Sequence, residues 1–164
     1  MIEQSHSKRL HMNPVKTDLT PTVRLSPAAH SDVETLVHIR IEAMRESLER
    51  LGRFDPVRAR ERFLLGFEAE STRLIEVSGE IVGFVVVKRH QNELLLDHLY
   101  VLPSAQGLGI GASVLARVFA EADASRLPVR VGALKESASN RFYLRHGFTF
   151  IESGEFDNYY LRTV

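Results

Sequence analysis

Three apolar runs follow one another closely in the middle of the chain: R-L-I-E-V (73–77), I-V-G-F-V-V-V-K (81–88) and E-L-L-L-D-H-L-Y-V-L (93–102). They are short, rich in Val, Ile and Leu, and bounded by turn residues, which reads as strand rather than helix. The link S-G-E between the first two is short enough for an antiparallel hairpin. The third run is long enough to lie near the centre of a sheet, and Pro103 ends it. A block of this kind commits the chain to a sheet, and the remaining segments must supply the layers that cover it.

Those segments read in order. T-V-R-L (22–25) is a short strand, and a helix follows it, with Ser31 or Asp32 as its cap and Val33, Leu36, Val37, Ile41 and Met44 at helical spacing. Gly52 stops that helix. A second, short helix follows Asp55-Pro56, with Pro56 in a tolerated first-turn position. Beyond residue 109, Ile110, Val114, Val118 and Ala122 recur every four residues and describe a helix with one apolar stripe. P-V-R-V-G-A-L (128–134) is another strand, 137–145 a helix broken by Gly147, and 148–152 and 159–163 two closing strands. The expected order is β-α-α-β-β-β-α-β-α-β-β, an α/β class with a mixed, mostly antiparallel sheet and flanking helices. No internal repeat interrupts it, so residues 21–164 read as one domain behind a polar, weakly ordered leader (1–20), within which Met12 is an alternative start.

Composition narrows the chemistry. The 164 residues carry 21 basic and 21 acidic side chains, a balance that argues against nucleic acid or an anionic membrane as partner. There is no cysteine, which excludes a disulfide framework, a thiolate zinc site and a cysteine nucleophile. The histidines never take the spacing that puts two on one helical face, so no metal is expected. No apolar segment approaches the roughly 20 residues of a membrane span, and the first residues lack the apolar stretch of a secretory signal. A cytoplasmic protein is the expectation.

The stretch P-S-A-Q-G-L-G-I-G-A (103–112) stands between the longest strand and a helix. It lacks the Lys-Ser or Lys-Thr of a Walker A loop. It nominally matches G-x-G-x-x-G/A, but the acidic residue that would hold a ribose is missing from the end of the next strand. Read as Q-x-x-G-x-G, it is a place where bare N–H groups at a helix N-terminus can receive a pyrophosphate, with Gly109 and Gly111 clearing the approach and Gly107 making the turn. A plain strand-to-helix turn is the competing reading.

Together with S-A-S-N-R-F-Y-L-R-H-G-F (137–148), this loop resembles the GCN5-related N-acetyltransferase family, and the resemblance runs from about residue 22 to the end. It implies acetyl-coenzyme A as cosubstrate and an amine as acceptor, with no metal. Gln106, Gly107, Gly109, Gly111 and Ala112 would surround the pyrophosphate. Leu99 and Val101 would lie beside the pantetheine and thioester, with a backbone N–H near Val101 stabilising the oxyanion. Tyr143 would be the general acid for the departing thiolate. Many members carry an asparagine six or seven residues before that tyrosine; here Glu136 and Ser137 stand there, so Ser137 and Asn140 are the candidates for contact with the cofactor arm. For the base, Asp97 comes first, sharing a face with Leu99 and Val101 by simple alternation. His98 comes second, and a water chain is the third option.

The resemblance puts the acceptor site between the first helices and the last hairpin, where Glu46, Glu49, Arg53 and Asp55 face Glu152, Glu155, Asp157, Tyr159 and Tyr160. The acceptor is a small-molecule or peptide amine, and a homodimer is compatible with the resemblance. His30, His38, Arg58, Arg60 and Arg62 read as surface residues. Two other readings stay open: a non-catalytic acyl-coenzyme A-binding or sensing module of the same fold, and a different acyl donor.

Overall fold

The computed structural model describes residues 20–164; the expected leader falls almost wholly on 1–19, outside the described residues. Strand β1 (Arg24–Pro27) leads into α1 (Val33–Arg50) and α2 (Pro56–Gly66), followed by β2 (Thr72–Val77), β3 (Glu80–Arg89) and β4 (Leu94–Val101). Then come α3 (Ile110–Ser125), β5 (Val129–Leu134), α4 (Ser139–Arg145), β6 (Thr149–Ser153) and β7 (Asp157–Arg162). The order is the one the hydrophobic pattern predicts. The first strand begins two residues later than expected and the last hairpin is shifted by one or two.

Local chemistry accounts for the boundaries. Helix α1 ends in a Schellman motif: Gly52, at φ 66°, donates to Glu49 C=O, and Arg53 donates to Leu48 C=O at 2.8 Å. Asp55 caps α2 by accepting from the Arg58 amide at 3.1 Å, with Pro56 opening the helix. Asp32 does not cap α1 from its own position. Its carboxylate turns back to the Ala29 amide at 2.7 Å, closing a 3-10 turn ahead of the helix. Ser78 and Gly79 both take left-handed backbone, the pair of angles a tight β2–β3 hairpin needs.

The seven strands form one sheet in the order β1-β2-β3-β4-β5-β7-β6, antiparallel throughout except for β4 beside β5. Helices cover both faces. Ile110, Val114, Leu115, Val118 and Ala122 of α3 and Tyr143 of α4 pack with Leu94, Leu96, Val129 and Val131 on one side. On the other, Leu36, Val37 and Ile39 of α1 and Phe63 of α2 pack with Leu74, Phe84 and Val86. Burying side chains of this size is worth about 1.5–3 kcal/mol each, so the two layers fix the sheet from both faces.

Candidate active site

The parallel pairing of β4 with β5 is brief. Leu94, Leu95 and Leu96 pair with Val129, Arg130 and Val131, and no pairing continues beyond them, although β4 runs on to Val101 and β5 to Leu134. The C-terminal halves of the two central strands therefore splay apart. On its other edge β4 stays paired with β3, where Gly83 faces Val101 and Leu102 donates to Val82 C=O at 2.8 Å. Along an antiparallel ladder, bonded and non-bonded pairs alternate, so Val101 and Leu99 turn their N–H and C=O groups away from β3 and into the splay. The Val101 carbonyl is taken by Gln106 Nε2 at 2.9 Å.

Gly83 makes this geometry possible and was not singled out in the sequence. A Cβ there would lie 2.2 Å from the Tyr100 carbonyl oxygen, so only glycine lets β3 hold the end of β4 so closely. The available signal was a glycine inside an otherwise continuous apolar strand.

The glycine loop lies between the splay and α3. Gln106 spends its amide on Pro103 C=O at 3.3 Å and its side chain on Val101, so it fastens the loop to β4. Gly107 (φ 76°) turns the chain in open space, as expected, and Gly109 (φ 79°) is a second left-handed turn that caps α3 without a side chain. The first bond of α3 runs from Ser113 to Gly109 C=O at 3.0 Å, which leaves the amides of Ile110, Gly111 and Ala112 without an intrahelical acceptor. Gly111 has a contact that the sequence does not show. An added Cβ would sit 3.1 Å from Phe142 Cζ, so its missing side chain makes room for an aromatic ring of α4.

Helix α4 carries the second motif to the same place. Tyr143 is buried at 5% exposure among Phe142, Phe148 and Tyr160, with ring centroids 5.3, 5.3 and 6.5 Å away. Its hydroxyl makes no hydrogen bond among the described residues. Arg40 Nε is the single buried side-chain polar atom there without a partner, so the phenol opens onto accessible space. Burial, reinforced by the neighbouring Tyr100, pushes its pKa well above the ordinary phenol value. Asn140 is fully engaged: its Nδ2 donates to Leu134 C=O and Ser137 C=O, both at 2.9 Å, and its Oδ1 accepts from Tyr160 (2.7 Å) and Asn158 (3.1 Å). It staples β5, α4 and β7 together and has no free donor for a cofactor arm, which leaves that contact to Ser137.

On the α1–α2 face the structure separates residues that alternation had joined. Val86 pairs with His98 but Val87 with Leu96, so Asp97 is the extra residue of a bulge. Its carboxylate reaches Lys88 Nζ (3.3 Å) and His98 Nε2 (3.7 Å), away from Leu99 and Val101. His98 packs against Phe63 and Phe84, and its Nδ1 lies 3.4 Å from the Tyr100 hydroxyl. Burial holds the imidazole down at about 4, with Asp97 opposing and Arg40 and Lys88 assisting.

The expected acceptor residues divide. Asp55 is a helix cap, Glu49 pairs with Arg45, Glu152 with Arg130, and Tyr160 is buried on Asn140. Arg53 stacks on Phe156 at 3.6 Å, joining the α1–α2 turn to the β6–β7 turn. Asp157 Cβ and the Tyr159 ring flank Gly132 of β5, and burial raises the Asp157 carboxyl against the pull of Arg53 and Lys135. Two surface hollows, of about 200 and 610 Å³, lie elsewhere, one beside Arg73 and Glu121 and the other beside Arg24 and Glu76. Among the described residues no helix is long and apolar enough to cross a membrane.

Residues 68–150 match the sequence model of the acetyltransferase (GNAT) domain, a span that contains the central strands, the glycine loop and α4. The chain belongs to the GNAT acetyltransferases. It is therefore an acyltransferase, and its mixed seven-stranded sheet with flanking helices is the fold of that family. Solved GNAT-type structures share the architecture at low identity. The PaiA N-acetyltransferase from Thermoplasma acidophilum, solved in complex with coenzyme A, is 15% identical over 87% of this chain and 99% of that one, with a TM-score of 0.73. An acetyltransferase from Thermus thermophilus is 20% identical over 88% and 99%, with a TM-score of 0.70. A GNAT-family acetyltransferase from Staphylococcus aureus is 19% identical over 87% and 99%, with a TM-score of 0.64. A search of curated proteins returns no match.

Proposed function

We propose that this GNAT member moves an acetyl group from acetyl-coenzyme A to a primary amine by direct attack. The observation that carries the reading is the splay of β4 from β5, with the Val101 amide turned into it and the bare N-terminus of α3 at its mouth. The coenzyme A complex of the PaiA N-acetyltransferase supports a cosubstrate of that type.

The residues suit such a group. Gly107, Gly109, Gly111 and Ala112 frame the open amides of the α3 N-terminus, which favour a pyrophosphate through the helix dipole. Leu99 and Val101 offer backbone groups to an amide-bearing arm, and the Ser137 hydroxyl stands at the start of α4. The cosubstrate supplies an acyl group activated as a thioester. The Val101 N–H donates a hydrogen bond to the acyl oxygen where negative charge develops, a contribution of about 3–4 kcal/mol for one preorganised donor. Tyr143 donates to the departing sulfur. Its raised pKa makes full proton delivery to a thiolate unfavourable, so its part is hydrogen-bond donation as the bond breaks.

The acceptor nitrogen loses its proton on the opposite face. Tyr100, His98 and Asp97 stand in contact one after another on the α1–α2 face, with separations of 3.4 and 3.7 Å. With Nε2–H directed at Asp97, Nδ1 of the neutral imidazole accepts from the Tyr100 hydroxyl as that hydroxyl takes the amine proton, and the imidazole, its pKa held at about 4, passes the proton on to water instead of keeping it. The expected bases thus act as one relay.

Calorimetric titration with acetyl-coenzyme A, followed by thiol release across a panel of primary amines, tests the reading. Micromolar binding and amine-dependent thiol release are expected. Binding without release to any amine would identify an acyl-coenzyme A sensor instead, and no binding at all would remove the reading.

A further inference from the structure

Arg40 lies on α1, and its guanidinium sits between the α2 backbone and Tyr100. Its Nη1 donates to Ala59 C=O at 2.8 Å and so ties α1 to α2. The guanidinium also comes within hydrogen-bonding reach of the Tyr100 hydroxyl, but its Nε finds no acceptor in the protein. Nε is the single buried side-chain nitrogen or oxygen among the described residues without a hydrogen-bond partner. No carboxylate among the described residues pairs with Arg40, whereas Arg45, Arg60, Arg73, Arg130 and Arg162 all have one. A desolvated guanidinium N–H with nothing to donate to is costly, and a carboxylate is the acceptor that a guanidinium N–H bonds most strongly.

Its place matters. Tyr100 follows Leu99 and precedes Val101, whose amides enter the splay, and its hydroxyl meets His98 Nδ1 on this same face. Arg40 acts on the Tyr100 hydroxyl from the α1 side and Asp157 from the β7 side. The acceptor face of the splay thus carries one unpaired cation beneath the helices and one half-buried carboxylate at the last hairpin.

We infer that the acceptor is an amino-carboxylate, a small molecule carrying both an amine and a carboxylate, and that the unpartnered Nε of Arg40 receives its carboxylate while the amine lies toward Asp157 and the Tyr100 hydroxyl. The inference rests on the acetyl-transfer reading above and adds the substrate class. Atoms balance without any further reactant: the nitrogen–acyl bond forms and the carbon–sulfur bond breaks, the amine proton leaves through Tyr100 and His98 to water, and the coenzyme departs as a thiolate that water reprotonates, with the carboxylate unchanged.

The test uses matched acceptors: glycine, β-alanine, 4-aminobutanoate and 5-aminopentanoate, each against its primary amide. The expected result is a preference of about 10- to 100-fold in kcat/KM for at least one acid over its amide. Arg40→Gln should erase that preference, Arg40→Lys should keep part of it, and coenzyme A affinity should stay unchanged in both. Equal rates for every acid and amide in the native protein would overturn the inference, as would an Arg40→Gln loss shared equally by both members of a pair. If Arg40→Gln fails to fold, the native preference and the Arg40→Lys ratio decide. If no amine is acetylated although coenzyme A binds, the transfer reading fails separately. The carboxylate site is then judged by calorimetric titration with the N-acetyl derivatives of the same acids and amides. Tighter binding of the acids to the native protein than to Arg40→Lys sustains it, and equal binding removes it.

Discussion

Gly111 lies against the far end of the Phe142 ring, with 3.1 Å between the position of a would-be Cβ and Phe142 Cζ. The glycine loop and the aromatic motif thus meet as a packing contact: the first turn of α3 is bare so that α4 can close on it. Replacing Gly111 by alanine should gain helix propensity of up to about 1 kcal/mol but lose about 1–3 kcal/mol by overpacking. A net fall in melting temperature is expected. Adding Phe142→Leu should restore both stability and coenzyme A affinity. Affinity that stays low in a double variant of restored stability would mean that Gly111 serves the phosphate directly.

Gly83 makes a sharper case. A Cβ at 2.2 Å from backbone cannot be accommodated by a rotamer change, so Gly83→Ala must part β3 from the end of β4. The expected loss is about 2–4 kcal/mol, with turnover falling more than donor affinity because the Val101 amide moves out of place. Thermal denaturation and steady-state kinetics would read this. Native-like stability and turnover would show that the splay does not depend on the contact.

Much of this could be read from the sequence because it rests on periodicity and local chemistry. The strands at 73–77, 81–88 and 93–102, the α3 stripe and the stops at Gly52, Pro103 and Gly147 each follow from a few adjacent residues. What could not be read depends on register and on contacts distant in sequence. One extra residue at Asp97 reverses which face the following side chains take, and alternation gives no sign of it. Asn140 looks like a free polar residue on a helix until Tyr160 and Asn158, on β7, close on it. The clash at Gly83 arises only once β3 and β4 are paired. For the same reason Asp97 and His98 read as alternative bases in the sequence, and Tyr100, whose hydroxyl lies 3.4 Å from His98 Nδ1, gave no signal at all.

Tyr143→Phe removes a hydroxyl that bonds to nothing in the protein, so stability should change by less than about 0.5 kcal/mol. Turnover should fall by about 10²- to 10³-fold while coenzyme A affinity is kept. Tyr160→Phe is the contrasting variant: it deprives Asn140 Oδ1 of its 2.7 Å bond and should cost about 1–2 kcal/mol, with only a modest effect on rate. A large stability loss in Tyr143→Phe with proportionate loss of donor binding would make Tyr143 a packing residue.

Asn140→Ala should be among the more damaging substitutions in α4. It leaves the Leu134 carbonyl and the Tyr160 hydroxyl without their partner, at about 2–4 kcal/mol together. Ser137→Ala should cost little stability and act on coenzyme A affinity. Calorimetry and thermal melts on the two variants separate the staple from the cofactor contact, and the opposite pattern would exchange their roles.

The buried imidazole of His98 sets a pH dependence. In the unfolded chain it titrates near 6.5, and in the folded protein burial against Phe63 and Phe84 lowers this to about 4. Asp97 pulls in the opposite direction, and Arg40 and Lys88 add to the depression. Between those two values the unfolded chain holds a proton that the folded protein does not, so acidification favours unfolding. Stability from this source is intact above pH 6.5 and is lost progressively as pH falls to about 4, by at most roughly 3 kcal/mol. Melting temperatures measured from pH 8 to pH 4.5 should therefore stay level and then decline below about 6.5, and His98→Gln should flatten the first part of that decline. A native profile that is already flat from pH 6.5 to 4.5 would mean the imidazole is protonated in the folded state. In that case Nδ1 could not accept from Tyr100, and the relay would have to begin elsewhere.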